Sequence, residues 1–228
     1  MSAASTAAAP GILAGAAVPV ISDALDMLGI AGGLPDLRPV WAGAGCCGPA
    51  YPILFEPVEP GVFGPAAEYV DEVPPGSVVL LANGGRTDCT VWGGLLAAFA
   101  KRHGIAGTVI DGACRDLDEI ARLAYPVFAR GVFMRSGKHR VRMLGADVPV
   151  SIGGVRVRPG DLLRADGSGV IVVPFDRAAE VAELVSVVIE RERQIASAIE
   201  KGGAMRAARQ RYGYNQLAHP GQVRRPWS

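Results

Sequence analysis

The segment from residue 107 to residue 119 constrains the fold of this chain more than any other. Its sequence is Gly-Thr-Val-Ile-Asp-Gly-Ala-Cys-Arg-Asp-Leu-Asp-Glu. Residues 108–110 form an apolar run typical of a buried strand, and Arg115-Asp116 opens a run with helical spacing. The segment therefore predicts a strand that ends beside a helix N-terminus. Such a corner, with a guanidinium group and several carboxylates, can bind a small anion and a divalent metal together.

Strand-like and helix-like segments alternate through the middle of the chain. Residues 78–82 are a continuous apolar run typical of a buried strand, and residues 92–103 have helical spacing that ends at Gly104. After residue 125 short strand-like runs dominate, with a hairpin turn at Gly153-Gly154, and residues 177–201 form one long amphipathic segment. This order predicts an α/β fold with a mixed sheet in one domain.

The composition excludes several classes of protein. Half of the 228 residues are hydrophobic and a fifth are charged, as in an ordinary soluble globular protein. The 23 basic and 22 acidic residues give a net charge of +1, which argues against nucleic-acid binding. No run reaches the ~18 apolar residues of a membrane span, and residues 1–10 do not fit a signal peptide. The four cysteines lack metal-site spacing, so we expect reduced thiols in a cytoplasmic protein.

The predicted helix N-termini carry the candidate ligand-binding residues. Gly93, Gly94, Leu95 and Leu96 begin a helix whose unpaired N–H groups can hold a carboxylate, although glycines also serve tight turns and close packing. Arg115 has a planar fork of donors that suits a carboxylate or an enolate oxygen, and equally an ordinary ion pair.

Two acids follow Arg115 at a spacing that suits a metal ion. Asp116 and Glu119 are three residues apart, so their carboxylates share a helix face and can bind one hard cation. Acids in a first helical turn also offset the helix macrodipole, so the residues alone leave both interpretations open. Asp111, at the predicted strand end, suits either a turn or a catalytic role. The chain has no G-x-G-x-x-G, P-loop or G-x-S-x-G motif, which argues against nucleotide binding and acyl transfer.

An ordered series of segments closely resembles the RraA-like family. The segments are Trp92-Gly93-Gly94-Leu95-Leu96, residues 107–116, Pro149-Val150, Gly153-Gly154-Val155, Pro159-Gly160-Asp161 and residues 166–174. That family includes class II pyruvate aldolases that act on 4-hydroxy-4-methyl-2-oxoglutarate and 4-carboxy-4-hydroxy-2-oxoadipate, and regulators of RNase E activity. The resemblance covers about residues 18–205. It implies a β/β/α swivelling-type domain over residues 11–205, between a flexible N-terminus (1–10) and a C-terminal extension (206–228).

The resemblance also implies a metal site, with one departure from the aldolase pattern. The family's aldolases have an Asp, twenty intervening residues and then Arg-Asp, but the upstream residue here is Gly94. A second family pattern has Gly at that position and an acid three residues after the Asp, which Glu119 matches. By this resemblance Asp116 and Glu119 would bind Mg²⁺ or Mn²⁺, partly through water. Arg115 would face the keto oxygen of a 2-oxo acid, and the amides of residues 93–96 would hold its carboxylate.

The catalytic base implied by the resemblance is a Glu of the last helix, donated by a neighbouring subunit of a trimer or hexamer. In the family it lies ten residues before a glycine, and Glu192 lies ten before Gly202. Glu190 and Glu200 are alternatives, and a solvated helix face explains all three equally well. We therefore expect a metal-dependent lyase that releases pyruvate from a 4-hydroxy-2-oxo dicarboxylic acid and decarboxylates oxaloacetate as a side reaction. The alternatives are a non-enzymatic, protein-binding regulator of ribonuclease E and an aldolase-like enzyme of a specialised pathway.

Overall fold

A computed structural model of the chain describes residues 3–59, 64 and 67–214. These residues divide into two compact units. One unit is Gly33–Phe175, and the other contains the described residues before Gly33 and after Phe175. The sequence predicts one domain over residues 11–205. Within the second unit the long C-terminal helix packs on the two N-terminal helices.

Helices and strands alternate through the middle of the chain, as the sequence predicts. The helices are α1 (Ala3–Gly15), α2 (Val18–Met27), α3 (Gly94–Arg102), α4 (Leu117–Arg122), α5 (Ala178–Glu200) and α6 (Met205–Arg211). The strands are β1 (Gly33–Leu34), β2 (Arg38–Pro39), β3 (Cys46–Pro57), β4 (Val78–Trp92), β5 (Gly107–Cys114), β6 (Val127–Val132), β7 (Val141–Ala146), β8 (Val150–Ile152), β9 (Val155–Val157), β10 (Leu162–Asp166) and β11 (Gly169–Val173). Short 3-10 helices lie at Glu68–Glu72 and Phe175–Arg177.

The unit Gly33–Phe175 is built on a mixed sheet, which confirms the predicted α/β class. Among the described residues the strand order is β1-β11-β10-β3-β4-β5-β6-β2, and β7 also pairs with β3. Strands β3 to β6 are parallel neighbours, whereas the other pairings are antiparallel. Since α3 connects β4 to β5 and α4 connects β5 to β6, these connections are the crossovers that parallel strands require. β8 and β9 form the hairpin predicted at Gly153-Gly154.

The central parts of the parallel strands are apolar, and both of their faces are buried there. Val79 and Leu81 belong to one hydrophobic cluster, whereas Leu80 belongs to a second cluster on the opposite face. Residues of α3 and α4 complete the first cluster, and residues of β8 to β11 complete the second. The parallel strands therefore lie between a helical layer and a layer of antiparallel strands.

Strand β4 is longer than the sequence predicts. Residues 83–86 suggest a glycine-containing loop, but they lie within β4, where pairing with β5 shifts register between Ala82 and Arg86. Gly84 and Gly85 have φ values of 62° and 71°, which glycine adopts at little cost. The glycines therefore allow an irregularity inside the strand instead of ending it.

The second unit is helical. The predicted helix at residues 177–201 is confirmed as α5, whose buried residues Val181, Val185 and Val188 recur at helical spacing. Residues 3–10, which the sequence predicts as a flexible N-terminus, lie in α1. Of the predicted C-terminal extension, residues 206–211 belong to α6, whereas residues 215–228 lie outside the described residues. Within the described part of the chain, no helix combines the length and apolarity needed to cross a membrane.

Candidate active site

Two chain segments meet at the carboxyl ends of β4 and β5. These strands are parallel neighbours, and Trp92 pairs with Cys114 at their ends. The N–H of Arg115 donates to the carbonyl of Trp92 at 3.2 Å. Because each strand leads directly into a helix, Gly93-Gly94 and Arg115-Asp116 lie side by side before α3 and α4. The carboxyl edge of parallel strands is the usual place for a ligand site in open α/β sheets.

Asp116 is held in a defined orientation by its neighbours. Its backbone has φ 60° and ψ 41°, in the left-handed region that costs a non-glycine residue about 1–2 kcal/mol. Its Oδ2 accepts a hydrogen bond from the N–H of Gly94 at 2.9 Å and lies 3.6 Å from Nε of Arg115. Within the described chain no donor contacts its Oδ1, and 47% of the side chain is exposed. One carboxylate oxygen therefore faces the site while the other fixes the geometry.

The bond to Asp116 changes the role expected for the Gly94 amide. The sequence predicts that the N–H groups of residues 93–96 together hold a substrate carboxylate. The Gly94 N–H instead donates to Asp116. The first hydrogen bond within α3 is from the N–H of Ala97 to the carbonyl of Gly93 at 3.0 Å. Helix geometry therefore leaves the N–H groups of Leu95 and Leu96 without helical carbonyl partners, and these two are the donors suited to an anion.

Gly93 and Gly94 are required by close packing against the acidic segment. A Cβ atom on Gly93 would lie 2.7 Å from Oδ2 of Asp116. A Cβ atom on Gly94 would lie 2.8 Å from Cγ of Glu119 and 3.3 Å from Cβ of Asp116. The space that a side chain at position 94 would occupy is therefore filled by Glu119. This packing gives a physical reason why an acid at one position excludes an acid at the other.

Asp116 and Glu119 form a donor set that fits a divalent metal ion. Mg²⁺ is usually held by one or two carboxylates together with water and substrate oxygens, so two acids suffice. Glu119 currently accepts two hydrogen bonds from Arg122, from Nη2 at 2.7 Å and from Nε at 3.1 Å. This pair is exposed, and such pairs contribute only about 0–1 kcal/mol, so a metal ion can displace Arg122. Among the described residues, no group of three or more His, Cys, Asp or Glu side chains forms a fuller metal centre.

A cavity of about 270 Å³ opens at this corner, close to the lower end of the range for small-molecule sites. Arg115, Asp116 and Gly93 line one part of it. Ser136, Gly137 and Lys138 line another part, and apolar side chains such as Phe55, Trp92 and Val141 complete the wall. Residues 136–138 are not among the candidate site residues that the sequence predicts. The basic run from Arg135 to Arg140 is the signal that could have drawn attention to them.

Asp111 has a structural role. It lies inside a strand, whereas the sequence predicts it at the end of a strand or in a turn. β5 continues past it to Cys114, and its side chain is buried. Its Oδ2 accepts a hydrogen bond from the N–H of Gly85 at 3.0 Å, and its Oδ1 pairs with Nε of Arg130. The carboxylate therefore anchors the irregular part of β4 and is fully engaged.

The three candidate bases lie on α5, in the helical unit. Both oxygens of Glu190 are taken by Arg193 and Gln194, and the Arg193 hydrogen bond lowers the pKa of this carboxyl. Glu192 is half-buried and hydrogen-bonds Tyr214, whose pKa is raised by burial and by the carboxylates of Asp23 and Glu192. Glu200 is exposed at the end of the helix. Of the three, Glu192 alone is both partly buried and held by a tyrosine hydroxyl, so its position suits a general base best.

All four cysteines are free thiols, as the sequence predicts. Burial raises the pKa of Cys46 to about 12 and that of Cys114 to about 11. These thiols are therefore protonated near neutral pH, and thiols in this state are poor nucleophiles and metal ligands.

Comparison with known proteins identifies the family of this chain. The family model described as "RraA-like: Aldolase/RraA" matches residues 18–172, which include both segments of the site. The chain belongs to the RraA-like family. The match confirms the resemblance inferred from the motifs around Gly94 and Arg115.

The relatives of this RraA-like chain include two that differ in length. It is 45% identical over 198 residues to Protein DlpA of Legionella pneumophila, a match that covers 86% of this chain and only 32% of that protein. It is also 36% identical over 165 residues to a Halalkalibacterium halodurans protein named "Putative 4-hydroxy-4-methyl-2-oxoglutarate aldolase". That second match covers 72% of this chain and 75% of the relative. The chain thus spans about a third of the length of DlpA.

Crystal structures that share its fold include two relatives. An uncharacterized protein from Pseudomonas syringae pv. tomato has a TM-score of 0.83 and 42% identity, with 89% of this chain and 97% of that chain covered. RraAS2 of Streptomyces coelicolor, described as an unusual member of the RNase ES inhibitor RraA protein family, has a TM-score of 0.70 and 28% identity. That comparison covers 83% of this chain and 94% of the other. Both matches confirm the mixed α/β fold.

Proposed function

We propose that this chain is a divalent-metal-dependent lyase that cleaves a 4-hydroxy-2-oxo dicarboxylic acid, such as 4-hydroxy-4-methyl-2-oxoglutarate, and releases pyruvate. One observation carries the proposal. Arg115 and Asp116 are held against Gly93-Gly94 at the mouth of one cavity, with Glu119 packed into the space beside Gly94. The cavity thus has the Arg115 guanidinium, the Asp116 carboxylate and the free N–H groups of the first helical turn along its lining, while Glu119 lies beside Gly94 in an adjacent pocket that Asp116 also lines. The aldolase name carried by the Halalkalibacterium halodurans relative supports the same reaction class.

The reaction requires stabilisation of negative charge on one oxygen. In the retro-aldol step the C4 hydroxyl loses its proton, the C3–C4 bond breaks, and C4 becomes a carbonyl. The bonding electron pair moves to C3 and the C2 keto group, which gives the enolate of pyruvate, and protonation at C3 completes the product. Donors that are already aimed at the oxygen where charge develops supply most of the rate in reactions of this type.

The residues of the corner suit the separate parts of this task. The Arg115 guanidinium is directed to the keto oxygen, and the N–H groups of Leu95 and Leu96 hold the adjacent carboxylate. Asp116 and Glu119 would hold the divalent cation, while the Gly94 N–H keeps Asp116 in place. When bound, the cation supplies Lewis-acid stabilisation of charge on the substrate oxygens.

The C4 hydroxyl proton requires a general base, for which we propose Glu192 of a neighbouring subunit. Leu95 beside the cavity is 90% exposed, and a large apolar residue so exposed suits a surface that another subunit covers. Decarboxylation of oxaloacetate leaves the same enolate and needs no base, so we also propose this side activity.

A coupled assay for pyruvate tests the proposal directly. We expect 4-hydroxy-4-methyl-2-oxoglutarate and oxaloacetate both to yield pyruvate, EDTA to stop the release, and added Mg²⁺ or Mn²⁺ to restore it. Because metal ions alone decarboxylate oxaloacetate, rates without protein and with Asp116→Asn serve as controls. Absence of turnover of both substrates with either metal would refute the proposal.

A second candidate function is regulation of ribonuclease E by protein binding. It is favoured by the likeness to RraAS2, whose description names an RNase inhibitor family. Inhibition of ribonuclease E by a chain that releases no pyruvate would support this alternative. Inhibition that persists in Arg115→Met would show that it is independent of the corner.

A further inference from the structure

We infer that Lys138 is the residue that selects dicarboxylic substrates, because its ammonium group binds the carboxylate at the end of the substrate away from the 2-oxo acid. The inference rests on the proposed function and names a feature of substrate recognition at the same cavity. Neither the family pattern of Gly94, Arg115, Asp116 and Glu119 nor the roles assigned above include this residue.

The segment that carries Lys138 is fixed against the end of β4. The N–H of Thr90 donates to the carbonyl of Arg135 at 2.9 Å, and the N–H of Gly137 donates to the carbonyl of Thr90 at 2.8 Å. A Cβ atom on Gly137 would lie only 2.6 Å from the Thr90 carbonyl oxygen, so the approach depends on glycine. Thr90 is two residues before Trp92, and therefore the segment lies directly beside the corner that carries Arg115.

Further hydrogen bonds give the turn a defined shape. The N–H of Lys138 donates to Oγ of Ser136 at 3.2 Å. Nη1 of Arg140 donates to the carbonyls of Ser136 and Lys138, at 3.2 and 3.1 Å. Arg140 thus satisfies the backbone of the turn, and Lys138 itself is left with a side chain that no backbone group engages. The turn is a rigid support for a long cationic side chain.

The ammonium group of Lys138 is available to a ligand. Lys138 is exposed and lines the cavity shared with Arg115 and Asp116. Its ammonium group forms no ion pair with any residue that the structure describes. Arg140 and Arg86, which lie near the same turn, are by contrast engaged with backbone carbonyls or with Asp88. Lys138 is therefore the unengaged cation of this wall.

The charges of the cavity match a substrate with two carboxylates. The Leu95 and Leu96 amides and Arg115 suffice for the 2-oxo acid end, and they leave Lys138 on a different wall with no assigned partner. The same cavity is also lined by the apolar side chains of Trp92 and Val141, which suit the carbon chain of the substrate. A monocarboxylic 2-oxo acid would gain nothing from Lys138, whereas a five-carbon dicarboxylate would gain a charge-assisted contact.

Two unreactive ligands of equal chain length test the inference by calorimetry in the presence of Mg²⁺. 2-Oxoglutarate has the distal carboxylate and 2-oxopentanoate lacks it, and neither has the C4 hydroxyl that cleavage requires. We expect the protein to bind 2-oxoglutarate more tightly. Lys138→Met should lower the affinity for 2-oxoglutarate by about 10- to 100-fold. The affinity for 2-oxopentanoate should change by less than about threefold, since no charge-assisted contact is lost. Lys138→Arg should retain most of the preference.

Arg135→Gln is the matched control, because Arg135 belongs to the same basic segment but stacks over Phe133 and does not line the cavity. It should leave both affinities unchanged. The inference is overturned if the unmodified protein binds both ligands equally. It is also overturned if Lys138→Met weakens both to the same extent or neither. Binding of neither ligand would instead refute the 2-oxo acid site, and with it the proposed function.

Discussion

Moving the second acid of the site from position 119 to position 94 is the sharpest test of the proposed metal centre. A Cβ atom on Gly94 would lie 2.8 Å from Cγ of Glu119, whereas carbon atoms in favourable contact lie about 3.5–4.0 Å apart. Gly94→Asp therefore forces the Glu119 side chain to move by roughly 0.7 Å or more at Cγ. Removal of that atom in Glu119→Ala makes room for the new carboxylate.

The energetic cost of the single change is small because Glu119 is partly exposed. An off-rotamer side chain costs about 0.5–1.5 kcal/mol. Loss of the exposed pair with Arg122 adds about 0–1 kcal/mol. Gly94→Asp and the control Gly94→Ala should thus each lower the free energy of unfolding by roughly 1–2 kcal/mol. Both should cost less in a chain that already carries Glu119→Ala, since the 2.8 Å contact is then absent and only the 3.3 Å contacts with the Cβ atoms of Asp116 and residue 119 remain.

Metal binding should follow the same logic. Glu119→Ala should lower the affinity for Mg²⁺ by at least roughly 10- to 100-fold, which is the loss that follows removal of an outer partner of a metal ligand. Gly94→Asp/Glu119→Ala should recover part of that loss and part of the pyruvate release, because two carboxylates are present again. Chemical denaturation and calorimetric titration with Mg²⁺ on these five variants and the unmodified chain measure both effects. The proposed exchange of acids between positions 94 and 119 is refuted if Gly94→Asp alone is as stable as the unmodified chain. It is also refuted if the double variant Gly94→Asp/Glu119→Ala binds Mg²⁺ no better than Glu119→Ala.

Three further predictions concern the remaining groups. Asp116→Asn should abolish pyruvate release through loss of metal, and normal rates at modest Mg²⁺ would show that Asp116 is not a ligand. Glu192→Gln should reduce aldol cleavage far more than oxaloacetate decarboxylation, because only cleavage requires a base; equal losses would assign Glu192 a structural role. Burial raises the pKa of Cys46 to about 12 in the folded chain. The contribution of this thiol to the free energy of unfolding is therefore complete below the pKa of the unfolded thiol, and it is lost as the pH rises towards 12. Denaturation at pH 8 and pH 10.5 should thus show a steeper loss for the unmodified chain than for Cys46→Ala, and equal slopes would contradict the assignment.

Much of the fold could be predicted because its signals are local. The apolar run at residues 78–82, the terminating Gly104 and the long periodic segment at 177–201 each identify an element from neighbouring residues alone. The passage of β4 through Gly84-Gly85 could not be predicted in this way. Two glycines normally indicate a turn. What keeps them inside the strand is the buried pair of Asp111 and Arg130, which are distant from them in sequence.

The site residues also differ in whether local sequence identifies them. Arg115, Asp116 and Glu119 are neighbours on one segment, and the family pattern connects them to Gly94, so these positions could be predicted together. Lys138 could not, because it reaches the cavity only through backbone hydrogen bonds of Thr90 with the 135–137 segment. No periodicity or motif in the sequence reports contacts of that kind. The engagement of the Gly94 amide with Asp116 is likewise a consequence of register between β4 and β5.

The pairing of Arg122 with Glu119 has a consequence for how the site responds to metal supply. In the absence of metal the Arg122 guanidinium neutralises the charge of Glu119, so the repulsion between Glu119 and Asp116 is compensated. Under the proposed function, Arg122 is then an intramolecular competitor that Mg²⁺ must displace, and it sets the Mg²⁺ concentration at which the enzyme switches on. Since the pair contributes about 0–1 kcal/mol, it can shift this threshold by up to roughly fivefold. Arg122→Gln would lower the threshold, because it removes the competing cation.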